Sequence, residues 1–235
     1  ENQQIGIFET DYLEIETVVP DKSLGAIRAS LAKVLKTQYG LPIADKYRVR
    51  IEPVEGQNKS EVYLTLSSIG EVVSGSMRLW QPREKDVEIE TEMLLTLMVF
   101  LGNDKLEAID KIQSNDSSNV VTAVVETAKN GYASLIFPYD KKQTWGYLGW
   151  ALDELNIDID DRDHVEGSYF INVLPNNGFF SKLLSAASAT KTYQLIVKEV
   201  DELSTYVYFV DLTEENENDT LLYSFELFNQ VASKF

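Results

Sequence analysis

Apolar positions in this chain change period along its length, and the changes divide it into elements. Leu24, Ile27, Leu31, Val34 and Leu35 recur every three or four residues, which puts them on one face of a helix. Asp21 or Ser23 can cap that helix, which runs to about Tyr39 before Gly40 and Pro42 stop it. The period then shortens to two. Tyr47, Val49 and Ile51 alternate with Arg48, Arg50 and Glu52, and Val62, Leu64 and Leu66 alternate with Tyr63, Thr65 and Ser67. Met77 and Leu79 follow in the same pattern. Such alternation predicts half-buried antiparallel strands with the apolar set turned inward. A helix over residues 86–101 closes the first half, with Ile89, Met93, Leu94, Leu97, Met98 and Leu101 as a broad apolar face.

The second half repeats this order. Residues 134–137 predict a short strand. Residues 141–155 predict a helix that buries Trp145, Leu148, Leu152 and Leu155. Ile157 and Ile159 alternate with Asp158 and Asp160, and residues 167–173 form the next strand. Residues 193–197 and 206–210 pair as a hairpin around Asp201 and Glu202. Thr220 is expected to cap a final helix that turns Leu221, Leu222, Phe225, Phe228 and Val231 inward. Between the halves, residues 113–119 contain no apolar side chain, so ordering them gains nothing from burial. The expectation is an α+β chain with one domain over residues 1–112, a linker over 113–126 and a second domain over 127–235. An antiparallel sheet curled around a long C-terminal helix buries both apolar faces in one core, and the helix-grip arrangement is such a solution.

Composition narrows the chemistry. The 235 residues include no cysteine, which excludes disulfides, thiolate metal sites and cysteine nucleophiles within them. Net charge is −17, and such a chain repels nucleic acid and anionic headgroups. No stretch reaches the roughly 20 apolar residues of a membrane span. Because the sequence starts at Glu1, a processed or truncated product is expected, with any targeting segment outside it.

Catalytic signatures are missing from the sequence: G-x-S-x-G, H-E-x-x-H, the phosphate-binding loop and G-x-G-x-x-G are all absent. The single histidine, His164, is expected in a charged turn between two strands. Asp158, Asp160, Asp161 and Asp163 invite a calcium loop, but neither register fits: position 5 is Arg162 in one and Val165 in the other. No catalytic, cofactor-binding or metal-ligating residue is therefore assigned. Two apolar segments lie outside the periodic core. One precedes the first helix and contains Ile7, Phe8, Glu9, Asp11 and Tyr12. The other contains Phe179, Phe180, Leu183 and Leu184. Both are candidate partner-binding anchors.

Several segments together resemble one family. IGIFETDYLE (5–14), KSEVYLTLSSIGEVVSG (59–75) and WQPREKDVEIETEMLLTLMVFLG (80–102) are similar to the first domain of BamC-type lipoproteins. WGYLGWALDELNIDIDDRDHVEGSYFINV (145–173), with the GFFSKLL that follows, is similar to the second. The resemblance implies two helix-grip domains and a non-enzymatic accessory subunit of the β-barrel assembly (BAM) machinery in the Gram-negative outer membrane. It implies a lipidated cysteine and an extended BamD-binding segment, most of which would lie outside this chain. Contacts with BamD and other subunits, a membrane attachment made only through lipid, and soluble domains facing the periplasm or the surface are further implications. Tyr12 stands where many relatives carry tryptophan. No cofactor is implied. The competing expectation is a small-ligand or lipid carrier with a cavity between sheet and helix, which large core residues such as Met93, Leu97, Phe225 and Phe228 would fill.

Overall fold

The computed structural model describes residues 5–15, 42–54, 56–74, 77–114, 121–173, 190–201, 204–212 and 217–235. The predicted first helix and the segment from Phe179 to Leu184 lie outside these residues. The chain is α+β and divides into two compact units, residues 1–118 and 119–235.

The first unit is built on two long strands, β3 (Ile43–Pro53) and β4 (Ser60–Ser74), paired antiparallel from Ile43 opposite Gly70 to Pro53 opposite Ser60. The far end of β4 pairs with β5 (Met77–Arg83). Two short strands, β1 (Ile7–Glu9) and β2 (Leu13–Ile15), share the other edge of β3. The register sets Tyr47, Val49 and Ile51 beside Leu66, Leu64 and Val62 on one face. Arg48 and Arg50 lie beside Thr65 and Tyr63 on the other.

Burial reverses the expectation drawn from alternation. Arg48, Arg50 and Glu52 are buried, while Ile51 and Val62 are each 37% exposed. Paired charges make this possible. Arg48 binds Glu9, Arg50 binds Glu52, and the Arg50 guanidinium sits 4.2 Å from the centre of the Tyr63 ring. A buried charge without such partners would be strongly destabilising.

Helix α1 (Val87–Phe100) begins as predicted. The Asp86 carboxylate accepts from the Glu88 and Ile89 amides at 3.0 and 3.4 Å. Glu90 ties it to the sheet by accepting from the Leu66 amide at 2.9 Å, and Lys85 bonds the same carboxylate. No residue of α1 is buried, however, and Leu101 just beyond it is largely exposed. The broad apolar face expected to fill a core is only half covered. Nor does α1 close the unit. Gly102 and Asn103 donate to Val99 and Met98 carbonyls, the Schellman pattern, and Asp104 then caps α2 (Lys105–Ser114) by accepting from the Leu106 and Glu107 amides. Helix therefore reaches into the region expected as linker.

The second unit is a six-stranded antiparallel sheet in the order β6-β7-β11-β10-β9-β8. Its strands are β6 (Val124–Thr127), β7 (Ala133–Phe137), β8 (Asp158–Asp163), β9 (Ser168–Val173), β10 (Lys191–Asp201) and β11 (Ser204–Asp211). β6 also begins inside the expected linker. One face holds Leu135, Phe137, Val207, Phe209, Tyr193, Leu195, Tyr169 and Ile171, all essentially inaccessible. Two helices supply further buried side chains: Trp145, Leu148, Ala151 and Leu152 from α3 (Lys141–Glu154), and Tyr223, Leu227, Phe228 and Val231 from α4 (Glu217–Ala232). The buried stripe of α4 differs from the expected one. Tyr223 and Leu227 point inward, Leu222 is exposed, and Leu221 and Phe225 are half-buried. Thr220 is not the cap, because α4 starts at Glu217. It is buried and donates to Asp211 Oδ2 at 3.1 Å.

Candidate protein interface

The N-terminal candidate residues run along the open edge of β3, and backbone bonds hold them there. The Ile51 amide donates to the Gly6 carbonyl at 2.9 Å, and the Thr10 amide to the Tyr47 carbonyl at 3.0 Å. The Thr10 hydroxyl accepts from the Tyr47 amide at 3.1 Å. Side chains divide by position. Ile5 and Ile7 are buried and fix the strand to its own unit. Phe8, opposite Val49, is half-buried. Glu9 binds Arg48, and Lys46 Nζ lies 3.6 Å from its carboxylate. Burial pushes the Glu9 carboxyl up, but Arg48 and Lys46 outweigh it and hold it below its ordinary value. Asp11 and Tyr12 are exposed, Tyr12 by 39%, and Lys46 Nζ stands 5.6 Å from its ring centre. Residues 9–14 of this strap are thus exposed, Tyr12 and Leu13 being the large apolar ones among them, and Phe8 is half-buried.

His164 lies in the expected turn, exposed to solvent. Its ring also packs on Trp145, with centres 4.4 Å apart, and Trp145 stacks on Tyr169 at 4.0 Å. The aspartates around it have local uses. Asp163 Oδ1 accepts from the Val165 and Glu166 amides at 2.9 and 3.0 Å, which forms the turn. Asp160 accepts from the Asn172 side chain at 3.0 Å. Among the described residues, no group of three or more acidic or histidine side chains converges to hold a metal.

Sequence reasoning missed a larger feature of the first unit. Val87, Phe100, Leu101 and Leu106 are exposed on its two helices, Phe100 by 84%. A groove of about 430 Å³ lies between the helices, lined by Val87, Thr91 and Leu95 on α1 and by Ile109 and Ile112 on α2. The available signal was the three-residue spacing of Leu106, Ile109 and Ile112, hidden by the polar residues between them. Met77, Leu79 and Trp80 on the edge strand β5 are exposed as well.

Comparison with known proteins points to one family. Residues 120–228, nearly all of the second unit, match the BamC-like C-terminal domain of an outer membrane protein assembly factor. Over most of its length the chain is similar to BamC-type proteins. Outer membrane protein assembly factor BamC of Accumulibacter regalis is 28% identical over 216 residues, which is 85% of this chain and 56% of that protein. BamC of Thiobacillus denitrificans is 29% identical over 218 residues, 86% of this chain and 57% of that protein. The chain thus spans a little over half the length of these curated relatives. An uncharacterized Neisseria meningitidis protein is 27% identical over 205 residues. No helix among the described residues is long and apolar enough to cross a membrane.

Proposed function

We propose that this chain is a non-enzymatic scaffold in the assembly of outer-membrane β-barrel proteins, acting through contacts with BamD and other subunits of that machinery. The observation that carries this reading is the match of the second unit to the BamC-like C-terminal domain, together with BamC relatives 28 and 29% identical over about 85% of the chain. Attachment of the parent protein to the outer membrane through lipid, with its soluble domains facing the periplasm or the surface, belongs to the same proposal. Helix-grip organisation of both units does too.

The packing of the second unit favours a scaffold over a ligand carrier. The Tyr193 and Phe209 rings lie 4.8 Å apart, and Phe209 meets Phe228 edge-on at 6.3 Å. These rings fill the space between sheet and α4 that a carrier would keep open. Binding is assigned to Phe8, Glu9, Asp11 and Tyr12 of the strap and to Phe179, Phe180, Leu183 and Leu184. Ile7 serves by fixing the strand, since it is buried.

Purified chain mixed with BamD and the other subunits of that machinery should co-elute with at least one of them. Tyr12→Ala is expected to weaken that complex about tenfold with an unchanged melting temperature, as for an exposed aromatic anchor. Phe180→Ala should weaken capture by the wider machinery through a separate contact. Failure of the intact chain to bind any BAM subunit, together with a stoichiometric lipid in a mass spectrum of its extract, would replace the scaffold by the carrier.

A further inference from the structure

We propose that Asn130, in the turn between β6 and β7, is a site of spontaneous covalent modification. It converts to aspartate and isoaspartate through attack by the Gly131 main-chain nitrogen, at a rate set by opening of that turn. The reaction consumes only water, so the inference is independent of what the chain binds.

The geometry begins at the last strand pair, Thr127 opposite Ala133. Just beyond it the Ala128 amide donates to the Tyr132 carbonyl at 2.8 Å. Lys129, Asn130 and Gly131 make the turn between them. The Gly131 amide donates to the Ala128 carbonyl at 2.9 Å, and Gly131 takes φ +87°, the left-handed conformation that closes such a hairpin connection. The fold therefore demands glycine directly after Asn130. The Asn130 side chain folds over the same peptide, and its Oδ1 accepts from the Tyr132 amide at 3.2 Å.

These contacts set an electrophile beside a nucleophile. Once it has lost its proton, the Gly131 nitrogen can attack the side-chain carbonyl carbon of Asn130 and close a five-membered imide. A bond forms from that nitrogen to that carbon, the bond from the carbon to Nδ2 breaks, and ammonia leaves with the proton. Water then opens the imide at either carbonyl, which yields aspartate or isoaspartate. The Tyr132 amide points at the oxygen on which negative charge develops and stabilises it. Gly131 has no Cβ to obstruct the approach. One contact opposes the reaction. The Gly131 N–H is donated to Ala128, so that bond must break before the proton can leave. The turn thus holds the electrophile ready and the nucleophile blocked. Its opening is a local event, because β6 has four residues and stands last in the strand order of the described sheet. Isoaspartate would add a methylene to the main chain inside the turn and loosen the pairing of β6 with β7.

The test incubates the whole chain, folded and in denaturant, at neutral and mildly alkaline pH. Peptide mass spectrometry with isoaspartyl methyltransferase labelling reads position 130. Both products should form in the denatured chain, and the folded chain should be about tenfold slower. The rate should rise with hydroxide, since the nucleophile must lose a proton. Asn172 is followed by Val173, whose branched side chain obstructs the same attack, and should stay unmodified. Asn130→Gln should leave position 130 unmodified. Val125→Ala thins the packing of β6 without touching a reacting atom and should speed modification of the folded chain several-fold. Urea below the unfolding transition should do the same for the unaltered chain, and it serves where the variant does not fold. Aged chain carrying isoaspartate should exchange the amides of β6 faster than Asn130→Asp.

An unmodified Asn130 in the denatured chain would overturn the site. Equal rates in the folded and denatured chain would overturn the gate. So would a folded rate that neither Val125→Ala nor low urea changes.

Discussion

Glu9 and Asp45 occupy the same sheet and respond to pH in opposite senses. At Glu9, the cations Arg48 and Lys46 outweigh burial, so the carboxyl ionises more readily than in the unfolded chain. Its contribution to stability is present above the ordinary carboxylate pKa and is lost as pH falls through its lowered folded value. Asp45 is buried, and burial raises its carboxyl pKa despite the hydrogen bond from Ser68 at 2.6 Å and the charge of Arg83. Its stabilising contribution is full below the unfolded pKa and is lost as pH rises through the folded one. Two substitutions separate these terms. Glu9→Gln should lower the melting temperature at pH 7, by about 0.5 kcal/mol since the pair is partly solvated, and the deficit should shrink as pH falls below the carboxylate range. Asp45→Asn keeps an oxygen for Ser68 and removes the buried charge. It should raise the melting temperature at pH 7 by the equivalent of about 1 kcal/mol, with the gain vanishing at acid pH. Parallel pH curves for either variant and the wild type would show that the charge is not the cause.

Secondary-structure elements were legible wherever a local rule decides them. Apolar spacing placed the starts of α1 and α3 to within a residue, and the Asp86 and Asp140 carboxylates that precede them accept from first-turn amides. The hairpin of β10 and β11 was readable because both strands alternate cleanly. Which face of β3 becomes buried was not readable. Hydropathy assigns Arg48 and Arg50 outward, and only tertiary partners, Glu9 from β1 and Tyr63 from β4, reverse it. The stripe of α4 failed for a related reason. Tyr223 ranks low in hydropathy but stacks on Tyr193 at 5.0 Å, and Ser224 accepts from the Ala133 amide at 3.0 Å. The two candidate binding segments were found as apolar runs outside the periodic core. The groove was invisible because its walls come from two helices whose pairing no local pattern encodes. Two glycines test the turns. Gly102, at φ +100°, ends α1 with open space where a Cβ would stand, so Gly102→Ala should cost about 1 kcal/mol from backbone strain alone. Gly167, at φ +73°, would place a Cβ 2.7 Å from the Val197 carbonyl oxygen, and that neighbour is backbone in the middle of β10. Gly167→Ala should therefore cost more, about 2–3 kcal/mol in denaturant titration. Equal costs would mean that the β10 backbone yields without penalty.

The two units differ in how they are stabilised, and at the scale of the whole chain this has a measurable consequence. The second unit buries Phe137, Phe209, Phe228, Tyr169 and Tyr193 almost completely behind six strands. In the first unit, α1 has no buried residue and much of the buried β3 surface is charged. Apolar burial dominates stability, whereas buried ion pairs roughly balance their own desolvation. The first unit should therefore unfold at lower temperature or denaturant than the second, giving two transitions. Residues 119–235 made alone should reproduce the later one. Phe228→Ala should lower that transition by about 3–5 kcal/mol, the usual cost of deleting a buried ring, and leave the earlier one in place. Glu9→Gln should do the reverse on its smaller scale. A single transition that both substitutions move together would show that the units fold as one body, and fragment 119–235 would then fail to fold. The polar run at residues 113–119 gives the same question a chemical readout. If the units are autonomous, limited proteolysis should cut there first and release a fragment of the second unit that keeps its own melting temperature.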